Sequence, residues 1–138
     1  MRFSYGTEVS VLFDSDNHEQ HRKCTSRVNG EIRCSGVFEE IIKQNESVAL
    51  GTKVSLHFSI PRQTATVHVN VYASNKEKPK YVDEDGCVLI GTAEIEISFP
   101  SEEERDVLIE YILGNTEISM TATEELYGTK VEATFKLI

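Results

Sequence analysis

Seven stretches of this chain alternate apolar and polar residues with a period of two, and no other feature restricts its fold as much. They are "EVSVLF" (8–13), "VFEEII" (37–42), "KVSLHFSI" (53–60), "ATVHVNVYA" (65–73), "CVLIGTAEIEIS" (87–98), "TEISMTAT" (116–123) and "KVEATFKL" (130–137). In a strand successive side chains point to opposite faces, so Val67, Val69 and Val71 share one face and His68, Asn70 and Tyr72 the other. β-Branched residues fill these runs, and glycine or asparagine punctuates the gaps between them. Gly91, inside the 87–98 run, predicts a bulge or a bend. Many short strands separated by turns predict an all-β chain, a β-sandwich of about eight mostly antiparallel strands.

Two segments depart from the pattern. "SEEERDVLIEYIL" (101–113) opens with Ser101 and Glu104 at capping-box spacing and continues with Val107, Leu108, Tyr111 and Ile112 at helical spacing. The same residues also alternate as a strand through Val107, Ile109 and Tyr111, so the pattern leaves both open. Residues 14–36 form a polar insertion between two strands, and its Asn29-Gly30 pair predicts a two-residue hairpin turn. That turn sets Cys34 opposite Thr25 and Cys24 opposite Ser35, a diagonal pair poorly placed for a disulfide.

At 138 residues the chain is read as a single domain, 1–138, with a core of its own. A net charge of −9 argues against nucleic acid as a partner, since phosphate contacts need clustered Lys and Arg. The short basic runs "HRK" (21–23) and "KEKPK" (76–80) read as solvated loops. Apolar runs are too short to predict a membrane span. The start, "MRFSYGTEV", lacks signal-peptide character, and the three cysteines are an odd number. Both point to a reducing, intracellular and cytoplasmic setting.

His18, His21, Cys24 and Cys34 carry ligand types suited to zinc, although their spacing matches no finger or knuckle. Against that reading stands a solvated loop with two free thiols, and no metal is expected. In "YVDEDGCVLIG" (81–91), Glu94 falls twelve positions from Asp83 in calcium-loop counting. Cys87 and Leu89 then occupy ligand positions, so Asp85-Gly86 reads as a turn between strands. His57 and His68, on neighbouring predicted strands, lack an acid and nucleophile that would mark a catalytic set. The domain is not expected to be an enzyme, and no cofactor is expected in it.

The hairpin "KYVDEDGCVLIGTAEIEIS" followed by "GNTEISMTATEELYGTKVEATFKL" resembles the end of the peptide-binding domain of the 70-kDa heat-shock chaperones. The likeness is closer to their divergent type-12 branch, the 12A and 12B group. In that family a strand-turn-strand carrying "LG" precedes a "DG-I-x-V-x-A-x-D-x-x-TGK" hairpin. Here Asn115-Thr116-Glu117-Ile118 stands at the D-G-I turn, Thr121-Ala122-Thr123 at "SA-x-D", and Tyr127-Gly128-Thr129-Lys130 at "TGK". "FSYGTEV" (3–9) is similar to the family's "LSLGIET", and "VFEEIIKQNESV" (37–48) to its "VMTTLI-x-KNTTI". The type-12 branch also carries a His- and Cys-containing insertion in the place of 14–36.

The resemblance implies a strand at 105–113 with 101–104 a loop, and a plain hairpin at the DEDG stretch. It implies a domain that holds unfolded or extended apolar polypeptide, with no helical lid. The implied parent is a longer stress-response protein whose N-terminal ATPase domain binds ATP. Pocket positions fall on Thr7, Val9, Val67 and Val69, with Val107 on the facing strand. Ser55, Leu56 or His57 would floor the pocket, where a slip of one residue exchanges the faces. Val67, Val69 and Val107 read equally as ordinary core valines. The family's Met-Gly-Gly turn after the first strand is replaced by "SVLFDSDNHEQ" and the insertion. Two other readings stand beside this one: a docking module with a filled cleft that uses the 14–36 ribbon and the acidic surface, and a zinc-stabilised adaptor.

Overall fold

A computed structural model describes residues 3–25, 30–60, 66–96, 105–125 and 128–137. Their strands are β1 (Ser4–Leu12), β2 (Lys23–Thr25), β3 (Ile32–Ile42), β4 (Lys53–Ile60), β5 (Thr66–Ser74), β6 (Cys87–Glu96), β7 (Arg105–Leu113), β8 (Glu117–Glu124) and β9 (Thr129–Lys136). A three-residue 3-10 turn, Gln20–Arg22, precedes β2. Two sheets form, ordered β2-β3-β1-β5-β6 and β4-β7-β8-β9, and every pairing within them is antiparallel. Among the described residues no helix is long and apolar enough to cross a membrane.

Alternation sends one face of each sheet into a shared core. Tyr5, Val69, Val71, Ala73, Ala93 and Ile95 come from the first sheet. Val107, Ile109, Tyr111, Leu113, Ile118, Met120, Ala122 and Phe135 come from the second. The 101–113 ambiguity resolves as β7, because Val107, Ile109, Tyr111 and Leu113 are buried while Ile112 is 40% exposed. Residues 101–104 and Asn29 lie outside the described residues.

The insertion packs on the outer edge of β3. Lys23, Cys24 and Thr25 pair with Cys34, Arg33 and Ile32. This register corrects the expected one by two residues: Cys34 faces Lys23 and Cys24 faces Arg33. Cys34 is buried, Cys24 exposed, and all three cysteines are free. Further along the same edge, Phe38 N–H donates to the Lys80 carbonyl (3.0 Å) and Val82 N–H to the Gly36 carbonyl (2.9 Å). The Arg22 guanidinium stacks 3.6 Å from the centre of the Tyr81 ring and donates to Asp83 at 2.7 Å. Lys80 Nζ donates to the Asn17 carbonyl.

The DEDG stretch is a turn held by Glu84, but not the tip of the expected plain hairpin, since Tyr81 before it bridges Val37 of β3 and not β6. Glu84 accepts from Tyr81 N–H (2.8 Å), Lys80 N–H (3.0 Å) and Lys76 Nζ (3.1 Å). Burial alone would raise the Glu84 pKa, but these donors outweigh it and hold the carboxyl below its ordinary 4.5. A lowered folded pKa stabilises above the unfolded value, and that stability is lost as the pH falls through the folded one. Glu84→Gln is therefore expected to cost about 1–2 kcal/mol near neutrality, as for a partly buried charge-assisted bond. The deficit should shrink as the pH drops below 4.5. Urea denaturation of both proteins across that range checks it, and a constant difference contradicts it.

Candidate functional site

The first sheet contains an opening. β1 and β5 pair only through Ser4–Thr7 and Val71–Ser74, although β1 runs on to Leu12 and β5 begins at Thr66. Ladder alternation says which backbone groups face the opening. Phe13 N–H bonds the Ile32 carbonyl, so odd residues at this end of β1 face β3 and even ones face β5. Asn75 N–H bonds the Gly86 carbonyl, so odd residues of β5 face β6 and even ones face β1. The backbones of Ser10 and Leu12 thus face those of Thr66 and His68, and among the described residues no strand lies between them.

Thr7 stands where the two strands part. It is 4% exposed, and its hydroxyl donates to the Asn70 carbonyl at 2.8 Å. Beside it lies the Tyr111 hydroxyl, buried and without a well-aligned partner of its own among the described residues. Burial pushes Tyr111 up to about 12, so it stays a neutral phenol. Beyond Thr7 the gap widens into a cavity of about 200 Å³ lined by Glu8, Val9, Ser10, Ser35, Gly36, His68 and Asn70. That is less than the roughly 300 Å³ at which small-molecule pockets usually begin. It suits a backbone and one side chain better than a bulky cofactor.

The rim is polar. Tyr72 donates to Glu8 at 3.0 Å, and burial, then Glu8, pushes its phenol up to about 12. Thr92 donates to the Asn70 side chain (2.9 Å), and His68 Nε2 lies 3.2 Å from Glu94. Val9 is the cavity's aliphatic wall, since the other lining side chains are polar or, at Gly36, absent.

The residues singled out in the sequence divide into three groups. Thr7 and Val9 lie at the fork, and Val67, half-buried, packs against the core beside it on β5. Val69 (4%) and Val107 (0%) are fully enclosed core residues. Ser55 and His57 are exposed on β4 of the other sheet, where Val54 and Leu56 take the inward positions and His57 meets Glu125 at 3.4 Å. The expected proximity of His57 and His68 is corrected too, because β4 and β5 belong to different sheets. His18 accepts from the Asp14 N–H (2.9 Å) and His21 lies by Glu19 (3.2 Å), while Cys34 is enclosed in the sheet. Among the described residues no three His, Cys, Asp or Glu side chains gather as a metal-holding group.

No family model matches the chain. It is similar to heat shock 70 kDa protein 12A of Homo sapiens, 28% identical over 128 residues, covering 88% of this chain and 18% of that protein. Heat shock 70 kDa protein 12A of Mus musculus is 26% identical over the same coverage. The relation is distant, and the chain spans under a fifth of the length of either relative.

Proposed function

We propose that this domain holds an extended stretch of polypeptide in the gap between β1 and β5, as the substrate-binding part of a 70-kDa heat-shock-type chaperone. The observation that carries the reading is the pair of facing strand edges that, among the described residues, no strand pairs, flanking an open cavity. A third strand laid there satisfies backbone donors and acceptors on either side, which is recognition by strand addition. Each such bond nets about 1 kcal/mol whatever the sequence. One Leu-sized side chain against Val9 adds about 1.5–3 kcal/mol. Association entropy consumes much of that sum, so binding is modest, reversible and broad for apolar segments. The distant likeness to heat shock 70 kDa protein 12A agrees with this reading. In the parent protein an N-terminal ATPase domain, with ATP as its ligand, would set when the gap fills. The docking alternative would use the insertion, whose Ser35 and Gly36 line the cavity, while its β2 lies beyond β3 and away from the gap.

The test is fluorescence anisotropy of a labelled, capped, Leu-rich heptapeptide titrated with the domain and with Val9→Asp. Binding in the micromolar range is expected for the wild type, with a loss of at least about tenfold in a variant that circular dichroism shows to be folded. A folded wild type that fails to bind at millimolar concentration overturns the reading.

A further inference from the structure

We infer that Arg33 guards the open edge of β1, occupying the carbonyl that a bound strand would use, and is displaced when the gap fills. The inference rests on the peptide-strand reading above and concerns the regulation of that same gap. Arg33 sits on β3 opposite Leu12. Its side chain crosses the outer face of β1, where Nη2 donates to the Ser10 carbonyl at 2.8 Å and Nε to the Ser10 hydroxyl at 3.2 Å. The third nitrogen, Nη1, donates to Glu31 at 3.3 Å. By ladder alternation the Ser10 carbonyl faces β5 across the gap, so it is an acceptor that the sheet leaves for an incoming N–H. A guanidinium is suited to cover it, since its planar fork engages carbonyl and hydroxyl together while keeping a carboxylate on the far side.

Bare strand edges attract further strands, and charged side chains over the edge suppress this. The Arg33 contact does so reversibly. The side chain is 28% exposed and its bonds lie at the surface, so solvent can replace them at small cost. On displacement the guanidinium retains Glu31 and water, while the Ser10 carbonyl passes to the backbone of the incoming segment. A rigid plug would close the gap; a labile one sets a threshold that only a segment offering several backbone bonds exceeds.

Two variants and two readouts test this. Arg33→Ala removes the guard, and Arg33→Lys keeps the charge but not the fork. With the neutral capped heptapeptide, Arg33→Ala is expected to bind roughly fivefold tighter, the worth of one hydrogen bond no longer competed for. Arg33→Lys should gain in the same direction, which a pure charge effect would not give. Sedimentation velocity should show Arg33→Ala self-associating at concentrations where the wild type stays monomeric, as two bare β1 edges pair. Unchanged or weaker peptide binding together with unchanged sedimentation overturns the guard. If no form binds peptide but Arg33→Ala self-associates, the guard stands and the peptide reading falls. If no form binds peptide and none self-associates, both fall.

Discussion

Phe135→Ala should cost about 3–5 kcal/mol, the usual toll for deleting a buried aromatic ring. For a domain of this size that lowers Tm by on the order of 15 °C. Phe135 is 4% exposed and belongs to the core cluster. It lies on β9, at the end of one sheet, and reaches Gly91 on β6, at the end of the other. A Cβ placed on Gly91 would stand 2.6 Å from Phe135 Cδ1 and 3.0 Å from Cε1. The ring therefore occupies the notch left by the missing side chain and ties the two sheets together at that border. The β5–β6 register shifts here, with Val71 opposite Gly91 and Tyr72 opposite Leu89, so Ile90 is the extra residue. A bulge increases local twist, which here accompanies the close approach of the notch to the ring. Gly91→Ala alone is expected to destabilise by about 1–3 kcal/mol through overpacking. In the Phe135→Ala background the same methyl meets space, so its cost should vanish. Guanidinium denaturation of the four proteins should give a coupling of about 1–3 kcal/mol, whereas additivity would sink the notch interpretation.

Much of this architecture was legible. Period-two alternation located seven strands to within a few residues, and Gly91 announced its bulge. The extent of β3 was hidden for a local reason. Gly36 takes φ +71°, and the β1–β3 register shifts between Val9 and Val11, which breaks the alternation that reveals a strand. Residues 32–36 consequently read as part of a polar insertion, and Arg33 with them. Helical and strand readings of 101–113 shared Val107 and Tyr111 and differed at Ile109 against Leu108 and Ile112, so pattern alone was balanced. The family resemblance supplied the strand, and burial of Ile109 agrees.

The gap itself left no mark in the sequence. It depends on where the β1–β5 ladder stops, a property of two strands about sixty residues apart rather than of either one. Thr7 and Val9 came from the resemblance, whereas the hydroxyl of Thr7 on the Asn70 carbonyl is a feature of their geometry. Phe38, Tyr81 and Val82 likewise read as ordinary strand and loop residues. They are buried outside the main cluster, where the 80–82 segment meets the edge of β3.

Gly6→Ala is expected to be almost as damaging as loss of the Phe135 ring, about 3 kcal/mol at the upper end of overpacking costs. A Cβ at Gly6 would lie 2.5 Å from the Glu39 carbonyl oxygen and 2.7 Å from Phe38 Cζ, with Phe38 Cε1 closer still. The ring can tilt aside, but the carbonyl is backbone in the β3 ladder, where Glu39 faces Thr7. Relieving it requires β3 to shift on β1 one residue before the fork. That separates the two obstacles experimentally. If the ring dominated, adding Phe38→Leu to Gly6→Ala would restore most of the lost stability. If the carbonyl dominates, as the backbone distance implies, the double variant stays low. Peptide binding should then weaken along with thermal stability, because the shift displaces Thr7 and the edge that faces the gap. Stability recovered without binding would show that the fork, and not the packing around it, is what Gly6 protects.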